Sequence, residues 1–489
     1  TAQAVTRAKE VGVRKVIGST RSQLFWQFTT ETGVVVLLAS LLAFTVYYFI
    51  LPHANEFFNT RVAFNLFSDT RFLLFSLALM LTVTFLSGAY PGIVLSGFRP
   101  VLALKGRLQG RLSGSFNFRR GLIIAQFTIS QVLLIGLIVM LYQMNHFNDA
   151  DMGFNHEAIV MIPLGSQDQK MNTIKAQFSA IPKVENVSLC FAAPASDDYN
   201  WGTSFRYDNR SEMEAFSISV RTADEDYLST FDIDVIAGRN LTPSDTALEF
   251  LVNEKAIAKL GLSSAEDILG KILRVNGDSW SGPVVGVVRD FHDQSLRSDI
   301  EPVFITTAKQ TYNFAAVKIN MNEAKSTLSA LEKTWSSMYP ELIYQYDFLD
   351  DQIAAFYETE QKMMTLVQVF SCIALFIGCM GLYGLVSFMA LQKTKEIGIR
   401  KVLGGSISQI FWIFGREFSY LVLIAFLIAA PIGWILMSEW LSNYPYSINM
   451  DIWILILELL VILGIVLLTV GYRSMKAAIA NPVENLRSE

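Results

Sequence analysis

The sequence predicts an α-helical membrane protein with six transmembrane helices and one large α+β extracytoplasmic domain. Three observations predict it. Of 489 residues, 52% are hydrophobic and only 17% charged, against about 25% charged in ordinary soluble domains. Six apolar stretches, 33–51, 72–95, 121–144, 363–391, 412–439 and 452–471, each approach or exceed the ~20 residues that cross ~30 Å of hydrocarbon. Finally, the net charge of −5 conceals a segregation: 145–360 carries 33 acids and 17 bases, and the rest 11 acids and 22 bases.

The bases cluster at 7–21, 98–120, 392–401 and 472–487. Lys/Arg excess in short loops marks the cytoplasmic side. With six spans this places both termini and all four basic segments inside, and 52–71, 145–360 and 440–451 outside. Cys190, Cys372 and Cys379 give no disulfide or zinc framework. The four histidines form no HExxH or HxH pair, so no metal site is expected.

One charged phrase is written twice. KEVGVRKVIGS spans 9–19, and KEIGIRKVLGG follows 386 residues later at 395–405. Over 7–31 and 393–417, 13 of 25 positions are identical, among them Glu10/Glu396, Gly12/Gly398, Arg14/Arg400, Lys15/Lys401, Gly18/Gly404 and Trp26/Trp412. Each copy enters two spans and ends in a basic tail with Pro before Leu. Such duplication implies a pseudo-symmetric bundle. Thr1 aligns with Ser387, so the register of the first copy implies a span and a second outer domain upstream of Thr1. In the second phrase Ile397, Ile399, Val402 and Leu403 make one face of a short helix, and Lys395, Glu396, Arg400 and Lys401 the other. That is an amphipathic helix at the interface, with glycines permitting a left-handed exit. A snorkelling anchor explains the bases, but not the repeated glutamate and glycines.

These residues resemble the MacB/FtsX-type permeases, membrane subunits of ABC systems that work by mechanotransmission, in the long duplicated form with the N-terminal part lacking. The family's K-E-I-G-I-R-[KR]-x-x-G phrase likewise follows the span after an outer domain. The resemblance implies that the phrase is a coupling helix seated on a nucleotide-binding subunit. Glu10, Arg14, Lys15, Glu396, Arg400 and Lys401 would contact that partner, while Gly12, Gly18, Gly398 and Gly404 would shape the helix and its exit. The sequence contains no GxxxxGK[ST], so this chain binds no cofactor itself. ATP and Mg would sit on a separate P-loop ABC ATPase, in two copies. The expected organisation is a coupling segment 1–31, two spans in 32–97, a basic linker 98–120, a span 121–144, the outer domain 145–360, a span 361–391 continuing an outer stalk, a second coupling segment 392–411, two spans in 412–471 and a tail 472–489.

Within the outer domain, 157–164, 184–191, 313–320 and 342–348 read as strands, and 168–180 and 324–339 as helices. Two β-α-β units thus enclose an inserted lobe, 195–312; the resemblance implies a porter-like subdomain carrying that insertion. Asp290, His292 and Asp293 invite a catalytic reading, but no nucleophile accompanies them, and they are expected to be structural. Nothing breaks the helix pattern from Leu349 to Leu391, so a continuous rod of about 65 Å is expected, half of it an outward stalk. Gly378, Gly381 and Gly384 allow close helix approach, and Gln126 and Gln131 bond across helices. Glu458, the single acid well inside a span, is expected to snorkel or to pair with a hydroxyl.

The function expected is ATP-driven export or efflux of a peptide, drug or lipoprotein. Partners would be the ATPase, membrane lipid and a periplasmic or outer-membrane component, with no nucleic acid, in a bacterial inner membrane. The alternative is a transmembrane regulator driving a periplasmic enzyme or sensor by the same motion. A secondary transporter is disfavoured by the large outer domain, and a membrane enzyme by the lack of a catalytic constellation.

Overall fold

The computed structural model describes residues 14–61, 70–96, 113–165, 170–196, 201–275, 277–392 and 407–479. The chain divides into two compact units, one of 1–139, 362–435 and 450–489, the other of 140–361 and 436–449.

In chain order the elements are helices α1 (Arg21–Phe57), α2 (Thr70–Ser96) and α3 (Ser113–Asn148), strand β1 (Ile159–Pro163), α4 (Met171–Ser179) and β2 (Val184–Cys190). The inserted lobe follows with β3 (Gly202–Thr203), β4 (Phe205–Tyr207), β5 (Ile218–Thr222), α5 (Tyr227–Thr230), β6 (Val235–Gly238), β7 (Phe250–Asn253), α6 (Glu254–Leu260), β8 (Ile272–Val275), β9 (Trp280–Val288) and β10 (Val303–Thr306). The chain then returns through β11 (Phe314–Ile319), α7 (Ala324–Met338), β12 (Asp347–Phe348) and α8 (Leu349–Phe356) to α9 (Glu358–Gln392), α10 (Ile407–Leu441) and α11 (Ile452–Ile479).

In the membrane unit six described helices are long and apolar enough to span a bilayer. They form two groups. α1 and α2 pack on each other where Gly88 approaches Thr29; a Cβ on Gly88 would lie 3.1 Å from the Thr29 Cα. α3, α9, α10 and α11 bury a common core of Phe127, Leu382, Val386, Phe418, Val422, Ala425, Ile462 and Val466. Gly433 fits against Ile135, and Gly378 and Gly381 lie against Phe127 and Gln126. Gly384 faces open space instead. Gln131 donates from Nε2 to the Val422 carbonyl at 3.3 Å.

The repeat is thus unequally covered. Ala425 and Ala429 of α10 are fully buried, whereas Ala39 and Ala43, their counterparts in α1, are exposed. Glu458 departs from expectation. It is fully buried, one turn from Ile462 on the face α11 gives to the core, and among the described residues neither carboxylate oxygen has a hydrogen-bond partner.

The outer unit holds two sheets. The first has order β12-β1-β11-β2, antiparallel throughout. α4 and α7 cover it, with Ile174, Phe178, Leu331 and Trp335 on Val160, Ile162, Val187 and Val317. Of the strand expected over 342–348, only Asp347–Phe348 pairs. Tyr344, ahead of that pair, instead leans on Trp335, with ring centroids 6.1 Å apart. The inserted lobe builds an eight-stranded sheet along β3-β5-β10-β7-β9-β8-β4, with β6 on β9. Its core is Phe205, Phe250, Ile257, Val284, Val287 and Phe304. Asp224 ties the lobes together, accepting from Ser188 Oγ at 2.8 Å, Leu189 N–H at 2.7 Å and Lys175 Nζ at 2.8 Å.

Candidate functional site

Of the sequence-predicted coupling residues, Arg14, Lys15 and Gly18 are described; Glu10, Gly12, Glu396, Gly398, Arg400, Lys401 and Gly404 lie outside the described residues. The three sit in one tight exit. Residues 14–16 are helical, Ser19 N–H returns to the Arg14 carbonyl at 3.0 Å, and Gly18 N–H returns to Lys15 at 3.2 Å. Gly18 has φ +108°, a left-handed closure that a Cβ would strain. Thr20 then opens α1 with a capping box: its Oγ1 accepts from Gln23 N–H, and Gln23 Oε1 accepts from Thr20 N–H at 2.9 Å. Arg14 donates to Gln27 Oε1 at 2.7 Å, and Gln27 passes the chain on to Glu31 at 3.2 Å. Burial and repulsion from Arg21 hold the Lys15 ammonium below its usual range. The phrase is therefore clamped to the helix that follows it. In the second copy Ile413 stands where Gln27 does, so that clamp is particular to the first.

A second site went unseen in the sequence. The rod expected from Leu349 to Leu391 is broken at Tyr357, between α8 and α9, where φ is −98° and ψ 8°. No proline or glycine marks the break. In an unbroken helix the Phe356 carbonyl would accept from the Glu360 amide. Here the Arg297 guanidinium takes that carbonyl at 2.5 Å, and the same group pairs with the Glu360 carboxylate. Tyr357 turns inward, 4% exposed, and stacks on Phe147 with centroids 4.9 Å apart. Its hydroxyl accepts from Leu296 N–H at 2.9 Å. The second Glu360 oxygen accepts from the Tyr444 hydroxyl at 3.2 Å. Burial and the neighbouring Glu360 carboxylate push the Tyr444 phenol up to about 12.

The outer ends of α3 and α10 belong to the same unit. Gln143 is fully buried; its amide donates to the Tyr446 carbonyl and accepts from Ile448 N–H, both at 2.9 Å. Tyr446 stacks flat on His146 at 4.5 Å. Glu360 therefore joins the α8–α9 break to the 295–297 loop and to the turn after α10.

This collar is built from ion-pair and aromatic contacts. Asp290, His292 and Asp293 are structural here. Asp293 is buried in an ion pair with Arg221 at 2.5 Å. Asp290 caps α6 by accepting from Lys255 N–H at 2.8 Å. Burial lowers His292 from the ordinary imidazole value, and its ring meets Tyr446 edge-on. Among the described residues no three His, Cys, Asp or Glu side chains gather as a metal site would need.

Comparison with known proteins matches the two parts separately. The family model "FtsX-like permease C-terminal" matches twice, over 1–100 and 368–482, and "MacB-like periplasmic core domain" matches 127–333. The chain belongs to the MacB/FtsX-type ABC transporter permeases. The double match of one model is the internal repeat, and the single periplasmic match falls on the lobes described above. An uncharacterized ABC transporter permease of Methanocaldococcus jannaschii is 22% identical over 399 residues, covering 75% of this permease and 94% of that relative. YknZ of Bacillus subtilis, also an uncharacterized ABC transporter permease, is 22% identical over 240 residues, 46% of this chain and 58% of its own. Among solved structures, the periplasmic region of MacB from Actinobacillus actinomycetemcomitans is similar at 16% identity, with a TM-score of 0.30, over 42% of the permease and 94% of that chain.

Proposed function

We propose that this permease is the membrane subunit of an ATP-driven complex in a bacterial inner membrane. It carries ATPase motion from the two charged phrases to the outer domain, for export or efflux of a peptide, drug or lipoprotein. The ATPase is a separate P-loop subunit in two copies, which holds ATP and Mg; both termini of this chain are cytoplasmic, and 145–360 faces outward. A periplasmic or outer-membrane component receives the cargo.

The observation that carries this reading is helix α9. It runs unbroken from Glu358 to Gln392, three residues before the second phrase begins at Lys395. Its outer end is held by Glu360 to Arg297 and Tyr444. A tilt imposed at one end reaches the other without loss in a flexible loop, because a helix of 35 residues is a stiff element of about 52 Å.

The test is gentle purification of the protein from native membranes, with and without E10K and E396K. A P-loop ATPase that co-purifies with the unmodified protein and is lost on charge reversal supports the reading. A protein that carries no ATPase, or keeps it after both reversals, returns the phrases to membrane anchoring.

A further inference from the structure

One concave feature of the membrane unit is used neither by the coupling phrases nor by the Glu360 collar. A groove of about 530 Å³ runs along α10, lined by Trp412, Arg416, Glu417, Ser419, Tyr420 and Leu423. Trp412, Arg416, Ser419 and Leu423 follow one face of the helix, spaced by three to four, with Glu417 and Tyr420 flanking it, at the end of the span remote from Leu441.

Three properties of the groove point to one kind of occupant. Its charge is positive. Glu417 is taken by Arg120 from the start of the α3 span, whereas Arg416 is exposed and has no ion pair among the described residues. Its aromatic groups are those of a membrane interface: Trp412 is 67% exposed and Tyr420 65%, and such rings settle at headgroup level. Its depth is graded. From Trp412 to Leu423 the helix rises about 16 Å, passing from a cation and a hydroxyl at Ser419 to an aliphatic floor. A free anion would leave that floor empty, and a zwitterion would gain little from Arg416.

We propose that this groove binds one acidic phospholipid. The phosphate would sit at Arg416 and Ser419 with Trp412 beside the headgroup, the glycerol region against Tyr420, and an acyl chain along Leu423. The counterpart face of α1 carries Thr30, Gly33 and Val34 in place of Arg416, Ser419 and Tyr420, so the first copy lacks the site.

The test uses the full chain in a mild detergent and reads retained phospholipid by native mass spectrometry. Brominated phosphatidylglycerol or phosphatidylcholine is then added to quench tryptophan fluorescence, with W412F identifying the Trp412 share. The unmodified protein is expected to retain about one phosphatidylglycerol per chain and to show Trp412 quenching by that lipid. R416Q should lower its retention roughly five-fold, and R416K should restore part of it. L423W, which fills the groove and keeps the charge, should also release the lipid, and it answers the question if R416Q fails to fold. Equal retention in the unmodified protein, R416Q and L423W overturns the proposal. So does equal retention of phosphatidylcholine, which makes the groove ordinary boundary surface. Displacement by millimolar inorganic phosphate overturns it in favour of a free-anion site. No ATPase enters the measurement, so its outcome stands apart from that of the coupling experiment.

Discussion

Replacing Glu360 by alanine should loosen the outer domain at its collar by an amount the structure bounds. Two acceptors disappear at once. The pair with Arg297 is partly screened, since the side chains are 37% and 10% exposed. It therefore lies between the 0–1 kcal/mol of a surface pair and the several kcal/mol of breaking a buried one, at about 1 kcal/mol. Losing the acceptor of the Tyr444 hydroxyl costs about 1 kcal/mol more. About 2 kcal/mol in a domain of this size lowers the melting temperature by about 4–8 °C. The assay is thermal unfolding of the intact protein in detergent, followed by near-UV circular dichroism. Glu360→Gln keeps one acceptor oxygen, puts an amide donor in place of the other and loses the charge, so it can hold only one of the two contacts and about half of the shift is expected. A cycle of Glu360→Ala, Tyr444→Phe and the double variant should show coupling of about 1 kcal/mol. A melting temperature within 1 °C of the unmodified protein, or a cycle that closes at zero, would refute the view that Glu360 ties the three segments together.

Other expectations concern pH, glycine and the buried acid. Tyr444 ionises in the unfolded chain near 10 but in the folded protein near about 12. Its contribution is thus complete below pH 10 and fades as pH rises toward 12; Tyr444→Phe should remove that component from the stability curve, read as the difference between the two proteins. Glu249 behaves oppositely. Its hydrogen bonds from Arg239 hold its carboxyl down at about 2, so its contribution is present above the ordinary Glu range and lost as pH falls from there toward 2, a loss that Glu249→Gln should abolish. Gly153→Ala should cost about 2–3 kcal/mol, because φ is +77° and the new Cβ would lie 2.4 Å from the Asp290 carbonyl oxygen; urea unfolding measures it, and an unchanged midpoint would contradict it. Glu458→Leu should raise the melting temperature in detergent, since it removes an acid with no hydrogen-bond partner among the described residues from a site where such a group costs about 1–3 kcal/mol. A lower melting temperature would show that the carboxyl is satisfied.

The spans were readable because their signal is composition summed over about twenty residues, which no single contact can reverse. The outer β-α-β ends were readable for a similar reason: Ile159–Pro163 is an unbroken apolar run, and Phe314–Ile319 is apolar but for Lys318, each bounded by turn residues. The collar was not. Arg297, Glu360 and Tyr444 are ordinary in their local sequence and meet only through packing across 63 and 84 positions. The break at Tyr357 was hidden because the competitor for the Phe356 carbonyl comes from a distant loop, while helix propensity is local. The strand expected at 342–348 is likewise shorter: Tyr344 packs against Trp335, and only Asp347 and Phe348 pair with β1. For Glu458, position along the span suggested an escape to the surface; the helical face, shared with Ile462, decided otherwise.

The Arg14–Gln27 bond has a bearing on timing. Under the proposed coupling, two identical ATPase subunits would meet two seats of unequal compliance, one braced by an amide and one with Ile413 in its place. Identical strokes would then yield displacements of different size on the two sides of the complex. Under that coupling, the asymmetry between the two halves would be written into the primary structure rather than imposed by the partner.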